Sequence, residues 1–374
     1  MSPLLLPYRI LITSSTSVVQ LEHSTHRPRS KPGQNWTRFV LISDTHTSTF
    51  SVPDGDVLVH SGDLTNRGTL QEFETTMEWL LCAATPGQDV RTGMRSCVSF
   101  LTCGKLMCSV IAGNHDYALD EPWYMDNWRK LYTPSGFYEE PAPESTTSIR
   151  ELFTGRRARD AGIVYLENEE YKFRVREGGK EWSVFGSPVN ISSGSCQWGF
   201  GYKPADGEAV VAQYPKTDIL ITHGPPHNVL DATNRKECAG CPALASRVQE
   251  LRPRLHVFGH IHESRGAYVH LWDGDSGLPD VQNDAQVQSD VDAKSKGASL
   301  LGRNKSTASS NLLGKLWPFR RNLEEVVEDE SREQTLFVNA ANSPGGPRPG
   351  KDDLDMRVKV GRDGFQPIIV DLKE

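Results

Sequence analysis

Short apolar runs alternate along the chain with polar segments, and five of these runs end in residues that can bind a metal ion. Runs such as 39–42 and 219–221 are almost wholly apolar, which predicts buried β-strands. The first is followed by Asp44 and His46, and because residues i and i+2 of a strand share one side, both can reach the same point. The other four runs end on the same few residue types: Asp63, Asn114 with His115, His223, and His260 with His262.

Other apolar residues recur with helical spacing. Residues 69–81 carry apolar side chains on an i, i+3, i+7 face, which predicts a helix with Thr69 or a neighbouring residue as its N-cap. Residues 241–251 show the same spacing. Strands followed by helices indicate an α/β fold, in which ligands gather at the carboxyl ends of the strands. Three further apolar runs predict an antiparallel or mixed second sheet: 163–166, 171–175 and 182–188.

Three polar segments interrupt this pattern. Residues 1–37 form a polar leader, which we expect to be disordered. Residues 85–105 mix glycines with cysteines and indicate an inserted loop. Residues 273–333 have too little apolar surface to order themselves, so we expect a largely disordered insertion. The remainder, 38–374, is expected to be a single domain carrying these two insertions.

Composition narrows the protein class. The chain has 374 residues and a net charge of -7, which argues against stable nucleic-acid binding. No apolar run approaches the roughly 18 residues that span a bilayer. Seven cysteines without a secretory signal favour reduced thiols and a cytoplasmic protein, and we interpret the Cys238 and Cys241 pair as free thiols. A transit segment in the first 40 residues, rich in Ser, Thr and Arg, is the alternative.

The residue types at the strand ends indicate a dinuclear metal centre. Asp, Asn and His ligands without cysteine suit Mn, Fe or Zn, and tolerate Mg. Seven such ligands are too many for one ion, whereas two ions sharing a bridging carboxylate use them all. Two metals about 3.5–4 Å apart clamp the attacking and leaving oxygens and lower the pKa of a bound water. This chemistry predicts phosphoester hydrolysis with a metal-bridging hydroxide as the nucleophile.

Five sequence blocks resemble, in order, the signature of the calcineurin-like metallophosphoesterase superfamily. The blocks are Asp44-x-His46, Gly62-Asp63, Gly113-Asn114-His115-Asp116, Thr222-His223-Gly224 and Gly259-His260-x-His262. Longer matches resemble the metallophosphoesterase-domain branch and its fungal relatives: 53–60, 221–226 and 252–263. The likeness covers 39–272 and 334–372, and it excludes the leader and both insertions.

This resemblance implies a four-layer αββα sandwich of two mixed sheets, with a dinuclear metal site along one edge. It implies that the first metal is held by Asp44, His46, Asp63 and His262, and that Asp63 bridges. It implies that the second metal is completed by Asn114, His223 and His260. His115 is implied to act beside the metals as general acid or phosphate contact, oriented by Asp116. A structural role for His115 is the alternative.

The implied substrate is a small phosphodiester, and likeness to this branch favours a cyclic nucleotide. One rival is a phosphomonoesterase acting on serine or threonine phosphoproteins, because Arg67 partly mimics an arginine of those enzymes. Against it, Tyr117 and Ala118 follow the Gly-Asn-His block where those enzymes have another arginine. The second rival is a non-catalytic scaffold, which the intact ligand set disfavours. Protein partners are not indicated.

A few residues near the blocks admit two interpretations. Trp198 and Phe200 can stack on a nucleobase, although packing is the commoner fate of such aromatic residues. His60 and His256 lie within or just before the blocks, where core or edge positions are more common than ligands.

Overall fold

The computed structural model describes residues 11–14, 16–21, 28–83, 106–132, 142–192, 198–235, 237–272, 278, 324–327, 333–342 and 366–374. Among these residues, no helix is both long enough and apolar enough to cross a bilayer. The loop predicted at 85–105 lies outside the described residues, as does most of the insertion predicted at 273–333.

Within the described residues, eight strands form the first sheet, in the order β14-β1-β2-β16-β3-β4-β5-β6. Numbered in chain order, they are β1 (Leu11–Ser14), β2 (Ser17–Gln20), β3 (Trp36–Ile42), β4 (Val57–Ser61), β5 (Met107–Ile111), β6 (Ile163–Tyr165), β14 (Glu324–Val327) and β16 (Ile368–Lys373). Strands β3 to β6 pair in parallel, and β16 runs antiparallel to β3.

Six of the described strands form the second sheet, in the order β13-β15-β12-β11-β8-β7. They are β7 (Glu169–Phe173), β8 (Trp182–Ser187), β11 (Ile219–Thr222), β12 (Leu255–Phe258), β13 (Gly266–Leu271) and β15 (Gln334–Asn339). Its central strands β8, β11, β12 and β15 are parallel, while β7 and β13 are antiparallel to their neighbours. A separate two-stranded ladder joins β9 (Asn190–Ile191) to β10 (Gly201–Tyr202).

Helices cover the outer face of each sheet. The first sheet carries α1 (Leu70–Ala83), α2 (Glu121–Tyr132), α3 (Thr146–Thr154) and α4 (Arg156–Ala161), and the second carries α5 (Gly207–Ala212) and α6 (Pro242–Leu251). Thr69 caps α1 as predicted: its hydroxyl accepts from the Glu72 backbone N–H at 3.3 Å, and the Glu72 carboxylate accepts from the Thr69 N–H at 3.2 Å. This capping box fixes where α1 begins.

Strand alternation builds three apolar layers between the four layers of secondary structure. In β3, Phe39 and Leu41 face the second sheet, whereas Val40 and Ile42 pack against the helices. Trp182 of β8 is the largest of the fully buried side chains between the sheets. The helices of the second sheet bury Val248 and their other apolar residues on its outer face. The αββα sandwich of two mixed sheets predicted from the sequence is confirmed.

Residues 11–14, within the segment expected to be a disordered leader, form β1, and residues 17–20 of the same segment are also a strand. Residues 17–20 form β2, which pairs antiparallel with β16 near the end of the chain, and Val19 is fully buried. The partner strand is distant in sequence, so local composition cannot reveal the pairing. Residues 324–327, expected to lie in the disordered insertion, form β14. The domain boundaries otherwise stay a prediction.

Candidate metal centre

Asp44, His46 and His262 form the first group of candidate ligands. Their ligand atoms lie within 4.8 Å of one another. The Nε2 atom of His262 is 3.0 Å from Oδ1 of Asp44, and the rings of His46 and His262 lie 5.4 Å apart between centroids. Asp44 is fully buried, whereas both imidazoles are partly exposed. The group therefore offers one anionic oxygen and two ring nitrogens at a point that solvent can reach.

Asp63 joins this group to a second one. Its Oδ2 atom lies 3.8 Å from Nε2 of His46, and its Oδ1 atom lies 3.4 Å from Nε2 of His223. The ligand atoms of Asp44, Asp63 and His223 also lie within 4.8 Å of one another. The two oxygens of Asp63 thus face different imidazoles, which is the geometry that a bridging carboxylate requires.

Asn114 lies between the two remaining ligands. Its Oδ1 atom is 2.8 Å from Nε2 of His223 and 2.7 Å from Nδ1 of His260. The two imidazole rings lie 5.1 Å apart between centroids. All seven ligands predicted from the strand ends are therefore brought together in two adjacent groups.

The chemistry of these donors fits divalent metal ions. Carboxylate oxygens, an amide oxygen and imidazole nitrogens are the ligands that Mn, Fe and Zn accept, and no thiol belongs to either group in the described part of the chain. Asp44 belongs to both groups, and Asp63 of the second group also lies 3.8 Å from His46 of the first. The residues therefore fit a pair of neighbouring ions.

Backbone carbonyls fix the orientation of two ligand rings. Nδ1 of His46 lies 3.1 Å from the Thr65 carbonyl oxygen, and Nδ1 of His223 lies 2.9 Å from that of Ser61. A carbonyl oxygen only accepts hydrogen bonds, so Nδ1 carries the hydrogen in each ring. Nε2 is then left to face the centre, which is the role that outer hydrogen bonds play around metal-ligating histidines.

The backbone at the centre adopts conformations that side chains normally avoid. Four of the seven candidate ligands have positive φ angles: Asp44 (53°), Asp63 (54°), His46 (45°) and His260 (66°). Such residues cost about 1–3 kcal/mol each and cluster at functional sites. Gly259 permits the closest approach, because a Cβ there would collide with the Asp44 carboxylate and the Ser43 hydroxyl.

Opposite charges across the centre shift the pKa values of its acids. Burial alone would raise the pKa of Asp44, but the adjacent His262 lowers that pKa to about 2. Burial would also raise the pKa of Asp63, yet His223 holds it well below its ordinary value. Both carboxylates are therefore ionised at neutral pH and available as anionic ligands.

The four candidate ligand imidazoles differ in the direction of their pKa shifts. Burial lowers the pKa of His46, and it lowers the pKa of His260 to about 4. Burial acts in the same direction on His223 and His262, but Asp63 raises the pKa of His223 to about 9 and Asp44 raises that of His262. Because a metal ligand must be unprotonated, the lowered pKa values of His46 and His260 favour metal binding, whereas the raised pKa values of His223 and His262 oppose it, and His223 releases a proton when it binds at neutral pH.

His115 lies beside the ligands without belonging to either group. Its Nδ1 atom is 2.8 Å from the Asn66 carbonyl oxygen, so Nδ1 carries the hydrogen. Its backbone N–H donates to Oδ1 of Asp63 at 2.8 Å, and its ring meets the His46 ring edge-on, 4.9 Å between centroids. The ring is partly exposed, which leaves Nε2 available to a bound molecule.

Asp116 does not orient the His115 ring directly, contrary to the expectation from the resemblance. Its carboxylate accepts from the Leu64, Thr65 and Gly113 backbone N–H groups at 2.8–3.0 Å and from the Thr65 hydroxyl at 2.8 Å. Burial raises the pKa of Asp116 to about 7 against these hydrogen bonds. Asp116 therefore ties the loop after β4 to the loop after β5, and it places His115 through the backbone.

Two buried histidines support the ligand loops, a role that sequence analysis missed. Nε2 of His60 lies 2.9 Å from the hydroxyl of Thr45, the residue between the first two ligands. Nε2 of His256 lies 2.9 Å from the hydroxyl of Thr222, the residue before His223. The available signal was a histidine within an otherwise apolar run, but its partner is known only once the strands are placed.

Comparison with known proteins agrees with this site. Residues 37–264 match the family model of the calcineurin-like phosphoesterase. The chain is 33% identical over 254 residues to human metallophosphoesterase domain-containing protein 1, covering 64% of each protein. It is 32% identical over 248 residues to probable rhamnogalacturonate lyase C of Emericella nidulans, covering 66% of this chain and 19% of that protein. The chain thus spans less than two thirds of the length of these relatives.

Solved structures give more distant similarities. The protein TT1561 of Thermus thermophilus is 11% identical, with a TM-score of 0.32, over 60% of this chain and 81% of that one. The purple acid phosphatase PPD1 of yellow lupin is 12% identical, with a TM-score of 0.29, over 66% of this chain and 43% of that one. The family model, in contrast, spans more than half of the chain and includes all seven candidate ligands. The chain therefore belongs to the calcineurin-like phosphoesterase family.

Proposed function

We propose that this protein is a dinuclear metal-dependent phosphodiesterase that acts on small substrates. The observation that carries the proposal is the convergence of seven ligand side chains beside an imidazole that neither ligand group includes. We assign one ion to Asp44, His46, Asp63 and His262, and the other to Asp63, Asn114, His223 and His260. When bound, the ions supply Lewis acidity and lower the pKa of a coordinated water.

His115 acts in this proposal as the general acid. Its Nδ1 hydrogen is committed to the Asn66 carbonyl, so the proton that it transfers is held on Nε2. A positioned imidazolium can protonate the oxygen of a leaving alcohol. The hydrogen bond from the His115 backbone to Asp63 holds this group at a fixed place beside the ligands. Asp116 supports it as a positioning residue.

We propose phosphodiesters, with cyclic nucleotides favoured, rather than monoesters. Likeness to the metallophosphoesterase-domain relatives supports this choice. Tyr117 and Ala118, which follow His115 in the chain, are uncharged. A monoester carries more negative charge than a diester, and an arginine at this place would neutralise it bidentately.

The test compares hydrolysis of bis-p-nitrophenyl phosphate with hydrolysis of p-nitrophenyl phosphate. Metal-stripped protein is reloaded with Mn²⁺ and assayed beside the Asp63→Asn variant. Asp54→Asn is the matched control, because Asp54 is exposed and lies outside both ligand groups. We expect diester turnover in the wild-type protein and the control, and its loss in Asp63→Asn.

Two outcomes would replace the proposal. A preference for the monoester would identify a phosphomonoesterase, including the protein phosphatase alternative. Metal binding without turnover of either ester, with Mn²⁺, Zn²⁺, Fe²⁺ or Mg²⁺, would identify a binding scaffold. A screen of cyclic nucleotides follows only if the diester is turned over as expected.

We further propose a cytoplasmic protein. The described residues include free thiols at Cys82, Cys108 and Cys241, which is usual in reducing compartments. Cell fractionation of the tagged full chain tests this location, and recovery in an organelle fraction would favour the transit-segment alternative.

A further inference from the structure

An exposed indole ring lies next to the proposed general acid. Trp198 is 38% exposed, although large aromatic rings usually bury most of their surface. Its ring centroid lies 5.0 Å from that of His115, and the two planes are inclined by 36°. His115 in turn contacts the ring of the ligand His46. The indole is therefore separated from the metal centre by a single imidazole.

Two further rings support the indole from behind. The Tyr117 ring is stacked on Trp198 with an interplanar angle of 13° and a centroid distance of 6.1 Å. Trp123 is stacked on Tyr117 at 18° and 5.3 Å. Tyr117 is buried, so this column is anchored in the core below the first sheet's helices. The column leaves Trp198 as its solvent-facing end.

The backbone that carries Trp198 is held firmly in spite of the exposure of the ring. The Gly201 N–H donates to the Trp198 carbonyl at 3.2 Å, and the Asn190 side chain donates to the Gly199 carbonyl at 3.3 Å. The Phe200 N–H donates to the Asp120 carboxylate at 2.6 Å. A ring held in place at an open site loses little conformational entropy when a ligand covers it.

We propose that Trp198 is a stacking platform for the nucleobase of the substrate. The inference rests on the proposed function and names the substrate class for the same site. Bases stack on exposed aromatic side chains irrespective of sequence, because each base has a π face. Since two ring-to-ring contacts separate Trp198 from His46, the platform suits a ring joined to the phosphate through a sugar. We therefore expect that a ring attached directly to the phosphate oxygen does not reach the platform.

Calorimetric binding to the Mn²⁺-loaded full chain tests this proposal without using turnover. The probes are AMP, ribose 5-phosphate, which lacks the base, and phenyl phosphate, which has a ring but no sugar. Stacking on one aromatic residue is worth about 5- to 150-fold in affinity, so we expect wild-type protein to prefer AMP over ribose 5-phosphate by a factor in this range. Trp198→Ala is expected to bring the ratio close to one, and Trp198→Phe to keep most of it.

Tyr171→Ala is the matched control, because Tyr171 is a similarly exposed aromatic residue on β7. It is expected to leave the AMP preference unchanged, and affinity for phenyl phosphate is expected to be the same in wild type and Trp198→Ala. An unaltered AMP preference in Trp198→Ala, or no preference in the wild type, would overturn the platform. If AMP is preferred through Trp198 but no diester is hydrolysed, the proposed function fails and the platform stands.

Discussion

The two sheets contribute different chemistry to the metal centre. Loops after the first sheet's strands supply both carboxylates and the amide: Asp44, Asp63 and Asn114, with His46 as the ligand imidazole. Loops after the second sheet's strands supply imidazoles alone among the proposed ligands: His223, His260 and His262. The negative charge of the centre therefore belongs to one sheet and most of its nitrogen ligands to the other.

This division makes the centre a junction between the sheets. The close contacts of Asp63 with His223 and of Asp44 with His262 both cross from one sheet to the other. Each contact shifts the pKa of the acid down and that of the imidazole up. Neither sheet alone holds a complete ligand set, so metal binding depends on the packing that aligns the two sheets.

The largest effect is expected from removing the carboxylate that joins the two groups. Asp63→Asn takes away the anionic oxygens that face His46 and His223, so both ions lose a ligand. Metal ions supply several kcal/mol of transition-state stabilisation, and each 1.36 kcal/mol is tenfold in rate, so kcat/KM is expected to fall about 1000-fold or more. The metal content, measured by mass spectrometry of the purified protein, is expected to fall below one ion per chain.

His260→Asn is the counterpart on the second sheet. It removes a ligand from one ion only, so about one ion per chain is expected to remain in this variant. Equal metal content in Asp63→Asn and His260→Asn would show that Asp63 does not join the two groups.

The next effect separates His115, the proposed general acid, from the imidazoles proposed as metal ligands. His115→Gln is expected to keep two ions per chain but to lower kcat by about 100- to 10,000-fold for a diester with an alkyl leaving group, as loss of a general acid does. A p-nitrophenolate leaving group needs little protonation, so its hydrolysis is expected to change much less. The comparison of these two substrates in one variant is the measurement. Equal losses on both substrates would assign His115 to phosphate binding instead.

The positions of the candidate ligands could be predicted because each candidate lies within four residues of the end of its strand. Apolar runs and the residue types after them are local signals, and the same holds for the capping box at Thr69. The five sequence blocks can also be recognised without knowing which strands are neighbours in the sheets. These are the parts of the site that local patterns determine.

The parts that were missed depend on contacts between distant segments. Strand β2 forms by pairing with β16, which is distant in sequence. The Ser61 carbonyl orients the ring of His223, which lies in a loop of the other sheet. The positive φ angles at residues such as Asp44 and His260 reflect loops that the surrounding structure constrains. No spacing rule along the chain encodes these relations.

A smaller effect, on stability, is expected from the two threonines that contact the supporting histidines, one in each sheet. The Thr45 hydroxyl has the ring of His60 as its partner, whereas the Thr222 hydroxyl both contacts His256 and donates to the Gly224 carbonyl at 2.8 Å. A buried polar group left unpaired costs about 1–3 kcal/mol. Thr222→Val is therefore expected to lower the free energy of unfolding more than Thr45→Val, in urea titrations at neutral pH. The reverse order would mean that the first sheet's loop depends more on its histidine.

The smallest effect concerns acid stability. Burial lowers the pKa of both His60 and His256 to about 3, below the ordinary value of 6.5. Between pH 3 and pH 6.5 each of these histidines is protonated in the unfolded chain but neutral in the folded protein. The stability that the neutral, buried ring contributes is therefore present above pH 6.5 and is lost as pH falls toward 3. Each histidine contributes about 1 kcal/mol between pH 6.5 and 5.5, because its imidazole is only half protonated in the unfolded chain at pH 6.5. Between pH 6.5 and 5.5 we expect His256→Gln and His60→Gln each to remove about this much of the decline in unfolding free energy, and the double variant to remove twice as much. A variant that keeps the full wild-type slope would show that its histidine already binds a proton in the folded protein, which would place water beside a ring that the packing of the sheet excludes from solvent.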